Sequence, residues 1–319
     1  MTKRKSNAAK NRKTPQGSTA KRMSGRFFHT ESTTVLEQDE KHSATATAPT
    51  VAPKIKTDLR KHANFHSHIL PEDRDLIVYL PGGYETHPEK HYPVLYLHDG
   101  QNLFDPDTAF VKGEDWQADD TAETLSKAGV IEPVIIVGIY NTPSRIEDYT
   151  PVKDQKKRGG QADLYGRMIV EEVKPFIDQT YRTLQDAWHT GLGGSSLGGL
   201  VSIYLGLQYP EVFGKLAVIS PSVWWSNKAI IEFVDELLLK PRVKIWLDMG
   251  TAEGGRTLKD ANALRDALVR KGWVLGDDLQ YTVVEGGVHS ERSWGERVGR
   301  VLNFLFPNGN GSGNQINRS

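Results

Sequence analysis

The chain predicts an α/β fold, with a mostly parallel, doubly wound sheet and helices on both of its faces. Three observations carry this. Short runs such as VLYLH, VIIVGIY and KLAVIS are apolar at nearly every position, as strands buried on both faces must be. They alternate with longer stretches of helical periodicity. The last of these, over 291–305, sets Trp294, Val298, Val301, Leu302 and Leu305 on one apolar stripe.

In chain order, strands are expected over 74–81 and 92–100, a helix over 116–129 and a strand over 134–140. A helix over 163–181 follows, and Pro175 inside it should kink or divide it. The next strand runs into the glycine cluster HTGLGGSSLGGL (189–200), and a helix over 197–208 leaves it. Strands over 215–220, 243–250 and 281–287 then alternate with helices over 227–239, 256–271 and 291–305. There is no internal repeat and no second core. The expectation is one domain over 56–307, a disordered basic arm over 1–55 and a flexible tail over 308–319.

Charge is +0 over 319 residues but unevenly placed. Residues 1–30 hold nine basic side chains and no acidic one, leaving −9 for the rest. A body that acidic does not read as a specific nucleic-acid surface. The arm is nearly free of large apolar residues, so it cannot offset the entropy of ordering. A solvated tail is expected there, with loose attraction to anionic polymers or membranes and a transit peptide as the other readings. Cysteine is absent, which excludes disulfides, thiolate metal sites and a cysteine nucleophile. Without an apolar run of about 18 residues or an export signal, no transmembrane segment is expected, and the cytoplasm is the default compartment. His66 and His68 alternate along an extended segment, but no third ligand accompanies them, and neither metal nor organic cofactor is expected.

The glycine cluster admits two readings. A dinucleotide fingerprint fails because Ser196 stands where its last glycine belongs, and a P-loop fails for want of a lysine. G-x-S-x-G, which turns a strand sharply into a helix and exposes the central serine, fits Gly194-Ser195-Ser196-Leu197-Gly198. Side chains two before and two after that serine would collide with neighbouring elements. Ser195 fails this requirement because Leu197 lies two residues after it, so Ser196 is the candidate nucleophile.

A serine hydroxyl needs a base, and the base needs an acid to orient it. His289 is the one histidine after Ser196 and sits just past the last strand, in EGGVHSERSW. The strand before offers Asp248 and Glu253 in VKIWLDMGTAEGG. Asp248, inside the strand's end, reads as structural; Glu253, in the glycine-flanked loop, is preferred as the acid. The backbone N–H groups of Leu197 and Gln101 are the expected oxyanion donors. His98 and Asp99 are expected to shape the Gln101 loop. Trp224 and Trp225 should sit near the mouth of the site, against an aromatic substrate group or as a core wall. Arg145 meets either an anionic substrate group or a partner that braces its loop.

With these motifs, RDLIVYLPGGYE, YPVLYLHDGQNLFD, VIIVGIYNT, RIEDYTP, VKPFIDQTYRT, GLGGSSLGGL, LDMGTAEGG and GGVHSERSWGER, the chain resembles the putative esterase family over about residues 65–306. That family includes enterochelin esterases, feruloyl esterases, S-formylglutathione hydrolases and mycolyltransferases, and the likeness is strongest to the enterochelin-esterase-like branch. The resemblance implies an α/β-hydrolase fold, a small-molecule ester substrate and a triad whose members match Ser196, Glu253 and His289. The family's D-G-x oxyanion loop reads Asp99-Gly100-Gln101 here. One departure is the basic arm, where dedicated enterochelin esterases carry a folded domain. The expected function is serine ester hydrolysis through an acyl-enzyme. Its rivals are acyl transfer on the same triad and a non-catalytic binding protein with a hydrolase fold.

Overall fold

The computed structural model describes residues 57–309. The predicted arm over 1–55, and all but the first two residues of the predicted tail over 308–319, lie outside the described residues. The elements run β1 (Asp58–Phe65), β2 (Arg74–Leu80), β3 (Val94–His98), α1 (Ala118–Lys127), β4 (Ile135–Ile139) and a single turn α2 (Arg145–Asp148). Next come α3 (Ala162–Met168), α4 (Lys174–Thr180), β5 (Thr190–Ser195), α5 (Leu197–Gln208), β6 (Lys215–Ile219) and α6 (Ala229–Glu236). β7 (Lys244–Gly250), α7 (Thr257–Lys271), β8 (Leu279–Val284) and α8 (Glu291–Leu305) complete the domain.

One eight-stranded sheet has the order β1-β2-β4-β3-β5-β6-β7-β8. The β1–β2 and β2–β4 pairs are antiparallel, and all others are parallel. Successive side chains along the inner strands therefore alternate between the two faces of the sheet, as period two dictates. In β3, Val94 and Tyr96 join one core while Leu95 and Leu97 join the other; in β6, Leu216 and Val218 part from Ala217 and Ile219 in the same way. The first core is capped by residues of α3 to α7, the second by α1 and α8. From β3 the chain winds to β4 on one side and then crosses to β5 on the other. The carboxyl ends of β3 and β5 therefore flank the point where the winding reverses, which is where open α/β sheets bind ligands.

One element departs from expectation, and the division expected at Pro175 is present. β1 is an additional strand, and its DLRKHANF sequence has no buried position because it is the sheet's edge. The helix expected over 163–181 is present but divided by a wide turn over Ile169–Val173, in which the Lys174 N–H donates to Ile169, five residues back. Pro175 follows at once; lacking an N–H, it cannot continue the ordinary ladder, so the irregular turn precedes it.

Candidate active site

β5 is TGLGGS, buried throughout because the sheet's middle leaves no room beside it. A Cβ on Gly193 would lie 2.5 Å from that of Ala217. At Gly194 it would lie 3.1 Å from the Cβ of His98, and at Gly198 3.3 Å from the same atom. Of the two glycines that open the helix, Gly199 is the tighter: a Cβ there would meet the Ile219 carbonyl oxygen at 2.9 Å. The crowding thus reaches one glycine beyond the motif. Between strand and helix, Ser196 is held at φ 59°, ψ −120°, a conformation L-residues rarely adopt. Its N–H donates to Ile219 (3.1 Å) and its carbonyl accepts from Ser222 (2.9 Å), so the end of β6 and the loop after it pin the bend on both sides.

The three residues singled out from sequence converge. His289 Nε2 lies 3.0 Å from Ser196 Oγ. Its Nδ1 lies 2.8 Å from Glu253 Oε2. The Glu253 side chain is fully buried, whereas the imidazole is 44% exposed. The other Glu253 oxygen, Oε1, accepts from Ser220 Oγ (2.6 Å), the Gly250 N–H (2.9 Å) and Arg297 Nη2 (3.2 Å). Burial raises the cost of charging this carboxyl, but the bonds from His289, Ser220 and Gly250 outweigh it and hold its pKa below the ordinary value.

Asp248, the other acid considered, makes no contact with His289 among its hydrogen bonds. Its Oδ1 accepts from Arg297 Nη1 (2.7 Å) and the Ser220 N–H (3.2 Å), and its Oδ2 from Trp246 Nε1 (2.8 Å). Here burial dominates and pushes the pKa up. Arg297 is the residue that sequence reasoning missed. From α8 its buried guanidinium ties Asp248, Ser220 and Glu253 together, and a Cβ on Gly287 would sit 2.8 Å from its Nη2. The histidine-bearing loop therefore rests directly on the cation. The signal was available: Arg297 lies three residues after Trp294 and four before Val301, on the buried stripe itself, where a cation requires acids.

The turn after β3 closes the site from the other side. Gly100 lies so near β4 that a Cβ would fall 2.6 Å from the Gly138 carbonyl carbon. Asp99 adopts φ 58° and binds Arg145 through two bonds of 2.7 Å, with Asn141 Nδ2 on its Oδ1 at 2.6 Å. His98, fully buried and bonded to Tyr165 (2.9 Å), is pushed down to about 3 by burial and stays neutral. Both residues shape the loop, as expected. Arg145 thus braces its loop, yet it also lines a cavity of about 320 Å³ shared by Ser196, Gln101, Asn102, Phe110, Asn141, Glu291 and Trp294. The Leu197 amide opens α5 and the Gln101 amide lies in the turn that begins with the Asn102-to-Asp99 bond, so neither has an acceptor in its own turn.

Of the two tryptophans, Trp225 takes the core-wall role, one of the two expected, and Trp224 is not in the lining of the site. Trp225 is buried, its Nε1 bonded to the Val152 carbonyl (2.7 Å), with Gly159 folded against its ring. Trp224 is 52% exposed, and neither residue lines the Ser196 cavity. The aromatic wall comes instead from Phe110 and Trp294. The Trp294 ring stands edge-on to His289, centroids 4.7 Å apart, although its spacing read only as helix core. Among the described residues no group of three or more His, Asp or Glu is arranged to hold a metal ion. No helix of those residues is long and apolar enough to cross a membrane.

Comparison with known proteins identifies the family. The Esterase family model, described as "Putative esterase", covers residues 67–303. The chain is 32% identical over 221 residues to Uncharacterized protein YjcH of Bacillus subtilis (strain 168), spanning 67% of this chain and 81% of that one. It is 29% identical over 184 residues to Ferri-bacillibactin esterase BesA of the same organism, spanning 52% of this chain and 60% of BesA. The crystal structure of the enterobactin esterase FES from Shigella flexneri in the presence of enterobactin superposes with a TM-score of 0.64 at 20% identity, covering 80% of this chain and 59% of that one. At that identity the likeness speaks for the fold. With three quarters of its length under one family model, the chain belongs to the putative esterase family and is a carboxylic ester hydrolase of α/β-hydrolase fold.

Proposed function

We propose that the protein cleaves carboxylic esters through an acyl-enzyme formed on Ser196, with His289 as base and Glu253 as the acid that orients it. The observation that carries this is the unbroken relay from Ser196 Oγ to His289 Nε2 (3.0 Å) and from His289 Nδ1 to Glu253 Oε2 (2.8 Å), beginning on a strained bend. Ser196 Oγ attacks the ester carbonyl while His289 Nε2 takes its proton. The carbonyl oxygen becomes an oxyanion, received by the N–H groups of Leu197 and Gln101. As the tetrahedral species collapses, the C–O bond to the alcohol breaks and His289 returns the proton to the departing oxygen. Water, deprotonated by the same nitrogen, then attacks the acyl-enzyme and frees the acid and Ser196. Glu253 keeps its negative charge throughout and stabilises the imidazolium, and its depressed pKa suits that role.

BesA and FES are named for siderophore esters, so such esters form the first specific substrate class to test, beside short nitrophenyl esters. Labelling by a fluorophosphonate, read by intact mass, tests the mechanism. Wild type should gain one adduct and Ser196→Ala none; an unlabelled wild type, or a labelled variant, would overturn the assignment.

A further inference from the structure

Glu291 is the first residue of α8, two positions after His289, and it lines the cavity that holds Ser196. Its carboxyl is buried, the residue retaining 8% exposure. Oε1 accepts from Asn102 Nδ2 (3.0 Å) and Oε2 from Trp116 Nε1 (2.5 Å). Both oxygens accept from N–H donors, an arrangement suited to the ionised form. Both donors are neutral, however. Arg145, the cation among the described residues lining the cavity, is already bound bidentately to Asp99. A carboxyl buried without a cation is costly to ionise, and burial pushes its pKa up to about 7. Such groups persist where a ligand completes them. Each carboxylate oxygen accepts two hydrogen bonds, so both retain capacity beyond the one used here.

The remaining walls sort in the same sense. Phe110 and Trp294 offer aromatic faces for a carbon skeleton, whereas Asp99, Asn102, Asn141, Thr142 and Glu291 are polar. With Asp99 and Arg145 neutralising each other, the carboxyl left over in this lining is Glu291. We propose that Glu291 determines specificity: its carboxylate binds a hydrogen-bond donor, a hydroxyl or an ammonium, carried by the ester that Ser196 attacks. The inference rests on the serine esterase reading and deepens it by naming the class of acyl group.

The test uses nitrophenyl esters that differ in one group. Lactate, alaninate and isobutyrate carry hydroxyl, ammonium and methyl on the α carbon. The β-hydroxybutyrate, β-aminobutyrate and isovalerate esters repeat the series one carbon further out. After subtraction of spontaneous hydrolysis, kcat/KM near neutral pH gives the ratio of each donor ester to its methyl isostere. In wild type at least one donor should be favoured by about tenfold or more, since a site built to bond a polar group rejects the analogue lacking it. That ratio should fall to about 1 in Glu291→Leu and be partly kept in Glu291→Asp; any loss common to all substrates cancels in the ratio. Hydroxyl and ammonium arms separate the two donor chemistries. Donor and methyl esters cleaved equally well by wild type, or a preference that survives in Glu291→Leu, would overturn the proposal alone. Absence of turnover and of fluorophosphonate labelling in wild type would remove the esterase mechanism, and this inference with it.

Discussion

The side chains of Arg297 and Glu253, both fully buried, meet at 3.2 Å, while the same guanidinium holds Asp248 at 2.7 Å. One cation from α8 therefore separates two carboxylates that would otherwise share a dry pocket. It also leaves Glu253 with a single oxygen facing His289. Removing it strands two buried acids. Arg297→Met is expected to cost about 3–5 kcal/mol of stability, measured by urea unfolding. Where it remains folded, kcat should fall by about tenfold or more. Arg297→Lys, which keeps the charge and loses the fork, should recover part of both.

The division of labour between the two acids is testable by amide substitution. Glu253→Gln should lower kcat by roughly 1,000- to 10,000-fold, because an amide can neither hold the correct imidazole tautomer nor stabilise its charged form. Asp248→Asn sets an amide against the donors Trp246 Nε1 and Arg297 and should cost about 1–3 kcal/mol of stability, with kcat kept within about tenfold. The opposite ranking of the two in kcat would reassign the acid.

Gly199 tests the packing of the bend. A methyl there would stand 2.9 Å from the Ile219 carbonyl oxygen and 3.2 Å from those of Gly194 and the Pro221 Cα, all backbone atoms that cannot swing aside. Gly199→Ala should therefore destabilise by about 1–3 kcal/mol despite alanine's better helix propensity, and should lower kcat by displacing Ser196. Unchanged unfolding midpoint and rate would contradict the crowding.

Glu291 predicts a pH dependence of stability. Its pKa rises from 4.5 to about 7, so across that window the native protein keeps a proton that the unfolded chain has released. Unfolding free energy should then fall as pH rises from about 5 to 7 and level off above, by up to about 3 kcal/mol from this group. Glu291→Gln should flatten that part of the profile relative to wild type in urea titrations. Glu253 contributes in the opposite sense: its depressed pKa adds stability that is complete above 4.5 and lost as pH falls further.

Local patterns carried most of the architecture. Runs such as VLYLH and KLAVIS announce strands covered on both faces because burial leaves little room for polar residues, and β2, β3, β4, β6 and β7 carry such a mark, whereas the glycine-rich β5 and the partly exposed edge strand β8 do not. β1 does not, since an exposed edge strand selects for no apolar residue. The bend at Ser196 was legible because it needs small neighbours close in sequence, and His289 stood out because no other histidine follows that serine.

Contacts across the fold were another matter. Which of Asp248 and Glu253 faces His289 depends on where α8 delivers Arg297, and the hydrogen bond that sets Glu291 in the cavity joins it to Asn102, 189 residues away. Trp294 and Trp225 illustrate the same point in reverse: the spacing of the first reads as core yet its ring borders His289, while the second, beside a strand end, is buried under the 150–160 loop. Periodicity records whether a residue is buried, because that depends on its own helix or strand. It does not record against whom, because the partner is chosen by the order in which the strands assemble. The elements and the bend were therefore written along the chain, and the wiring around the imidazole arose only when the sheet brought those elements side by side.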